Sequence, residues 1–230
     1  MKSQQEIQDA ARAIISFTDS NTYNNERQQN ESPESESTLF FRKISSTLQS
    51  LINQILENRT CKQAIQIQNL YHSLSTLIRF KLGAHLKNKE EDEKQLRFEV
   101  KYWNRQCLFC IQQYGDAQDL TERINIGYGR LMIISISTTG GSSEEQDQEI
   151  YYELIYISNF IYELHEGRSK WQPSFQPLPL LARSTEEQIE EEGGNEEVDA
   201  QMNNNGNYGN IKRYANEVKA ATLNRFFHSS

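Results

Sequence analysis

The sequence predicts an all-α protein: a bundle of four to five helices, an acidic linker and a short C-terminal segment. Three observations lead there. Helix breakers are scarce, with 4 Pro and 11 Gly in 230 residues, which favours long helices over a many-turned β architecture. Apolar residues recur at i, i+3, i+4 and i+7 over several stretches. The charge is segregated, because Glu186, Glu187, Glu190, Glu191, Glu192, Glu196, Glu197 and Asp199 fall within 14 residues that hold no Lys or Arg. Those eight acids equal the whole formal net charge of -8, so the remainder of the chain is neutral.

The elements follow in order. Residues 4–17 place Ile7, Ala10, Ala11, Ile14 and Phe17 at helical spacing. Residues 18–37 are polar, contain Pro33, and read as a disordered insertion. Residues 39–57 carry one stripe of Phe41, Ile44, Leu48, Leu51, Ile52 and Ile55, with Ser37 or Thr38 able to cap its start. Thr60-Cys61-Lys62-Gln63 has the form of a capping box. It opens a third helix through Ile67, Leu70, Leu74, Leu77 and Ile78, which loosens near Gly83 and the charged run 87–94. A fourth helix, 93–114, sets Leu96, Val100, Trp103, Cys107, Cys110, Ile111 and Tyr114 on one face. Residues 124–137, with two glycines and a β-branched run, read as strand-like or loop-like. Ser142-Ser143-Glu144-Glu145 is a second capping box and starts a helix over 144–166, which Gly167 stops in a left-handed conformation. The domain reading is therefore an α-helical domain over 1–170, a linker over 171–210 that is acidic and then Asn-rich, and a segment over 211–230. Within the linker, 184–210 is expected to be a disordered tether, since self-repelling acids and asparagines bury too little apolar area to offset ordering.

Composition excludes several classes. The apolar share is 36% and the mean hydropathy is -0.77. That is short of the roughly 45–50% usual for a globular chain, and a helical body so poor in core reads as a subunit. No run approaches the roughly 18–20 apolar residues of a membrane span. The first residues lack the apolar stretch of a secretory signal, and 3 cysteines are too few for a disulfide scaffold. The chain is expected to be soluble and intracellular. Acidic balance argues against a duplex-DNA binder, which must neutralise phosphates.

Chemistry-bearing motifs are missing. There is no Walker loop, no nucleophile elbow and no zincin pair. Cys107 and Cys110 have redox or zinc spacing, but Cys61, His72, His85 and His165 are scattered, so core cysteines are expected rather than a metal site. His72 reads as a satisfied structural histidine. Arg97, Lys101 and Arg105 form a basic row, read as a solvated or intersubunit face. Tyr151, Tyr152, Tyr156 and Tyr162 surround the last long helix on several faces, which fits core or interface burial equally.

Trp103-Asn104-Arg105-Gln106-Cys107-Leu108-Phe109-Cys110-Ile111 resembles the signature helix of GINS subunits of the Psf-one type, components of the eukaryotic replicative helicase. Helices 4–17, 39–57 and 142–167 are similar in order to helices of that family. Pro177 to Arg183 is similar to its lead into a small β-domain, and Leu223 to Phe227 to that domain's end. The resemblance implies a non-catalytic, cofactor-free nuclear scaffold for DNA replication, with 211–230 as a remnant of the β-domain. The implied partners are the other subunits of a hetero-tetramer, the replicative helicase ring and its RecJ-like cofactor. Neither membrane association nor sequence-specific nucleic-acid binding is implied. The partner interface is expected at Arg105, Cys107, Ile111, Tyr114, Tyr152, Tyr156, Phe226 and Phe227. The competing readings are a helical adaptor that uses its acidic segment on basic partners, and an enzyme with an unrecognised site.

Overall fold

The computed structural model describes residues 5, 8–16, 18, 34–58, 70–79, 91–137, 144–169, 173–204 and 210–223. Among these the protein is all-α, as predicted, but the bundle of four to five helices is an undercount. In chain order the helices are α1 (8–16), α2 (Glu34–Asn58), α3 (Leu70–Arg79), α4 (Glu91–Tyr114) and α5 (Ala117–Asn125). They continue as α6 (Tyr128–Ser137), α7 (Glu144–Glu166), α8 (Pro179–Glu191), α9 (Gly194–Met202) and α10 (Ile211–Leu223). The chain divides into two compact units, Met1–Gly115 and Asp116–Ser230. This replaces the single helical domain expected over 1–170.

In the first unit α2 packs along α4, and α3 along α4. The predicted α2 stripe is buried from Phe41 to Ile55, as are Leu70, Leu74, Leu77 and Ile78 of α3. Two polar contacts fix the helices to one another. Asn104 Nδ2 donates to the Leu74 carbonyl at 2.9 Å, and Thr18 Oγ1 donates to Ser73 Oγ at 2.9 Å. Because α2 begins at Glu34, Ser37 and Thr38 lie inside the helix and do not cap it. The same residues correct the end of the expected disordered insertion over 18–37, whose central part lies outside the described residues, as does the Thr60–Gln63 box.

The second unit opens on a cap that the sequence reading passed over. The Asp116 carboxylate accepts from the Gln118 and Asp119 backbone N–H groups, and Asp119 Oδ2 accepts from the Asp116 N–H at 2.7 Å. This reciprocal box satisfies donors that the first turn of α5 otherwise leaves bare. Burial is the main force raising the Asp119 carboxyl above its ordinary range, against the bond from the Asp116 backbone. Residues 128–137, expected to be strand-like or loop-like, form α6. Leu131, Met132, Ile133 and Ile136 are all buried, and a segment apolar on nearly every side has no period to separate helix from strand.

The expected linker over 171–210 is overturned as well. Residues 179–191 and 194–202 are helices α8 and α9. Pro179 occupies the first turn of α8, where a missing N–H costs nothing. Ala182, Thr185, Glu186, Ile189 and Val198 point inward. Gly193 lies at φ 78 between the two helices, and Gly194 lies so close to Ile189 that a Cβ would stand 2.5 Å from its Cγ2. Gly167 takes the expected left-handed stop at φ 75. An antiparallel bridge between Arg168 and Phe175 then turns the chain back toward α8. Residues 211–223 are the helix α10, not the remnant of a β-domain. Ser142 and Ser143 of the second box, and Phe226 and Phe227, lie outside the described residues.

Candidate functional site

The interior of the second unit holds its densest polar chemistry. Arg123 of α5 is fully buried. Its guanidinium lies 3.9 Å from the Tyr128 ring centroid and 5.7 Å from that of Phe160. Those two rings meet edge to face at 5.2 Å. Ser135 Oγ donates to the buried Glu153 carboxylate at 3.0 Å. Burial pushes the Tyr128 phenol above its ordinary value, Arg123 opposes that and Glu153 adds to it. Arg123, Tyr128, Glu153 and Phe160 are all closed off from solvent. A cluster sealed in this way joins α5, α6 and α7 and offers a substrate no approach.

Two further clamps tie the C-terminal end of α7 to the chain beyond it. His165 Nε2 lies 2.7 Å from Glu186 Oε1, so one member of the acidic run faces inward. Arg168 donates to both Glu163 carboxylate oxygens, at 3.2 and 2.7 Å, and lies over the Phe175 ring.

The surface differs in character. Glu187, Glu190, Glu191, Glu192, Glu196 and Asp199 are exposed on α8, on α9 and in the turn between them. Three of these acids meet cations: Glu187 with Arg183, Glu191 with Arg130, and Asp199 with Lys219. Beside them, α7 and α10 share an aromatic face. Tyr151 meets Tyr214 edge to face at 5.2 Å, and Tyr152 stacks on Tyr156 at 6.3 Å. These four tyrosines range from half-buried to buried.

The expected interface residues divide. Cys107, Ile111, Arg105 and Tyr156 are buried and serve packing, while Tyr114 and Tyr152 are half-buried. Tyr114 and Tyr152 belong to different units. Of the basic row, Arg105 is buried and Lys101 half-buried, while the Arg97 side chain lies outside the described residues. His72, expected to be structural, lies on the exposed side of α3. Cys107 and Cys110 of α4 are both buried and in no disulfide, and burial raises the Cys110 thiol to about 11. Among the described residues, no three His, Cys, Asp or Glu side chains converge as metal ligands, and no helix is long and apolar enough to cross a membrane.

The inward carboxylate of Glu186 and the buried Arg123 were missed by sequence reading. The available signal was spacing. Ala182, Glu186 and Ile189 fall at i, i+4 and i+7, as in any packed helix. No family model, curated protein or solved structure matches the chain.

Proposed function

We propose that this chain is a non-catalytic structural subunit that works through its helical surfaces. The observation that carries the reading is the division of its polar side chains. Arg123, Glu153, Glu186 and Arg168 are committed to holding helices together, while the outward face of α7, α8 and α9 carries carboxylates and half-buried tyrosines. Tyrosine-bearing faces are common at protein interfaces.

The assembly we propose is the GINS hetero-tetramer in the nucleus, scaffolding the replicative helicase ring and its RecJ-like cofactor in DNA replication. The support is the resemblance of Trp103–Ile111 and the order of the helices before and after it. Affinity purification of the full chain tests it. Three helical proteins of comparable size should co-purify in equal amounts. A stable, cooperatively melting monomer that captures no such set would refute this assignment.

A second reading is favoured by one observation, the ordered acidic surface of α8 and α9. In it the chain is an adaptor for basic partners. The same purification separates the two, since this reading expects basic proteins released by salt and no fixed set of three.

A further inference from the structure

We propose that Tyr151 and Tyr214 form an oxidative cross-linking site, at which a peroxide-driven one-electron oxidant joins the two rings and locks α10 covalently onto α7. The two residues stand on helices that pack closely against one another. Their rings meet edge to face, with centroids 5.2 Å apart and planes inclined by 88°, a favoured arrangement for an aromatic pair. Their hydroxyls are hydrogen-bonded to each other. Coupling of two phenols joins the ring carbons that flank the C–OH carbon. A hydrogen bond between the hydroxyls brings those carbons side by side.

Access and geometry separate this pair from the other tyrosines. Tyr151 and Tyr214 are both half-buried, so an oxidant reaches them from solvent. Tyr71 and Tyr128 are buried, as is the Tyr156 member of the stacked Tyr152–Tyr156 pair. Tyr151 and Tyr152 are consecutive on one helix, where side chains leave the axis about 100° apart, so joining them would pull both from their positions. The chemistry balances. Each phenol of the 151–214 pair gives up one electron and its O–H proton. The two radicals form one carbon–carbon bond between the flanking carbons. The hydrogens on the joined carbons then leave as protons, and two protons restore the hydroxyls. Two hydrogens are lost in all, and hydrogen peroxide takes them up as it becomes two waters. Because the second ring is already in contact, coupling within the chain outruns encounters between chains. The product closes residues 151–214 into a loop, which restricts the unfolded state as a disulfide of that span does.

The test exposes the full, folded chain at low concentration to a haem peroxidase with hydrogen peroxide. Mass spectrometry of digested single chains should find the peptides that carry Tyr151 and Tyr214 joined, at the sum of their masses less two hydrogens. Tyr151→Phe and Tyr214→Phe keep a packed ring but remove the hydroxyl, and each should lower the yield at least about ten-fold. Tyr162, 63% exposed, reports that the oxidant is active, and Tyr162→Phe should leave the yield unchanged. The joined chain should unfold at a higher urea concentration than the untreated one. Oxidation of Tyr162 with no joined 151–214 peptides overturns the proposal. So does a yield that falls on dilution, which marks links between chains, or a joined chain that unfolds at the untreated urea concentration.

Discussion

Replacing Arg123 with Ala tests whether the enclosed cluster organises the second unit. The side chain is fully buried, so truncation leaves a void. Large-to-small core changes cost roughly 2–5 kcal/mol. The guanidinium also lies 3.9 Å from the Tyr128 centroid, and a desolvated cation–π contact contributes about 2 kcal/mol. Against both stands relief of the burial of an ion, which is several kcal/mol before pairing. The balance expected for Arg123→Ala is a loss of about 3 kcal/mol. Arg123→Lys keeps the charge but not the planar face that stacks on Tyr128, and should lose about 2 kcal/mol. Urea unfolding of the intact chain, followed by far-UV circular dichroism, measures both. A second readout is the Tyr128 phenol, which should titrate higher still once Arg123 is gone. Arg123→Ala within about 0.5 kcal/mol of wild type, the usual range for surface changes, would refute the reasoning. So would a Lys variant as stable as Arg.

Gly167→Ala and Gly193→Ala place the same strain at φ 75 and φ 78, about 1–2 kcal/mol. Only at 167 would the new Cβ also meet the Phe175 carbonyl oxygen, at 2.6 Å, so thermal melts should show the 167 variant losing clearly more. Cys107→Asp should cost several kcal/mol by placing a carboxyl in a sealed apolar site, and Cys107→Ala far less; similar losses in denaturant titrations would show that the site is open. The Cys110 thiol is raised from 9.0 to about 11 by burial, so the folded state holds its proton where the unfolded state releases it. Stability should therefore be unaffected by this group below about pH 9, then fall by roughly 2–3 kcal/mol toward pH 11. A Cys110→Ala chain should lack that component, and an identical alkaline profile for both chains would contradict it.

The helices with a one-sided apolar stripe were legible, and α7 falls at the residues its spacing predicts. What failed had a physical reason in each case. In α6 the stripe widens to nearly the full circumference, with Arg130 and Ser137 left exposed, so periodicity fades where burial is extensive. In α8 and α9 the outward acids outnumber the seam, and a count of charge conceals Ala182, Ile189 and Val198 at helical intervals. The Asp116 box was overlooked because it uses Asp at both positions instead of the Ser/Thr and Glu/Gln pattern. Trp103 and Gln106 stand where the signature that this stretch resembles has basic residues. Of the residues read as an interface, Cys107 and Ile111 were chosen for their resemblance, and their packing explains their identity without a partner. The inward turn of Glu186 could not be read from the run itself, since its partner His165 lies 21 residues away and only the return at Gly167 brings them together.

The ordering of the acidic run changes what it can do. On a tether the carboxylates would sample many arrangements, and a partner would have to order them at a cost in affinity. On α8 and α9 they stand on a surface held by Ile189, Val198 and the Glu186–His165 clamp. Their spacing is set before any partner arrives. Residues 179–202 sum to -7 with Arg183 counted, and ion pairs with Arg130 and Lys219 offset two of those charges, so the surface remains acidic. A rigid surface of that charge carries a barrier to acidic competitors as well as attraction for basic ones, and its strength should fall with ionic strength. Interior clamps, acidic exterior and basic α10 then form one arrangement, in which the charge that defines the composition of the chain is already partly answered within the molecule.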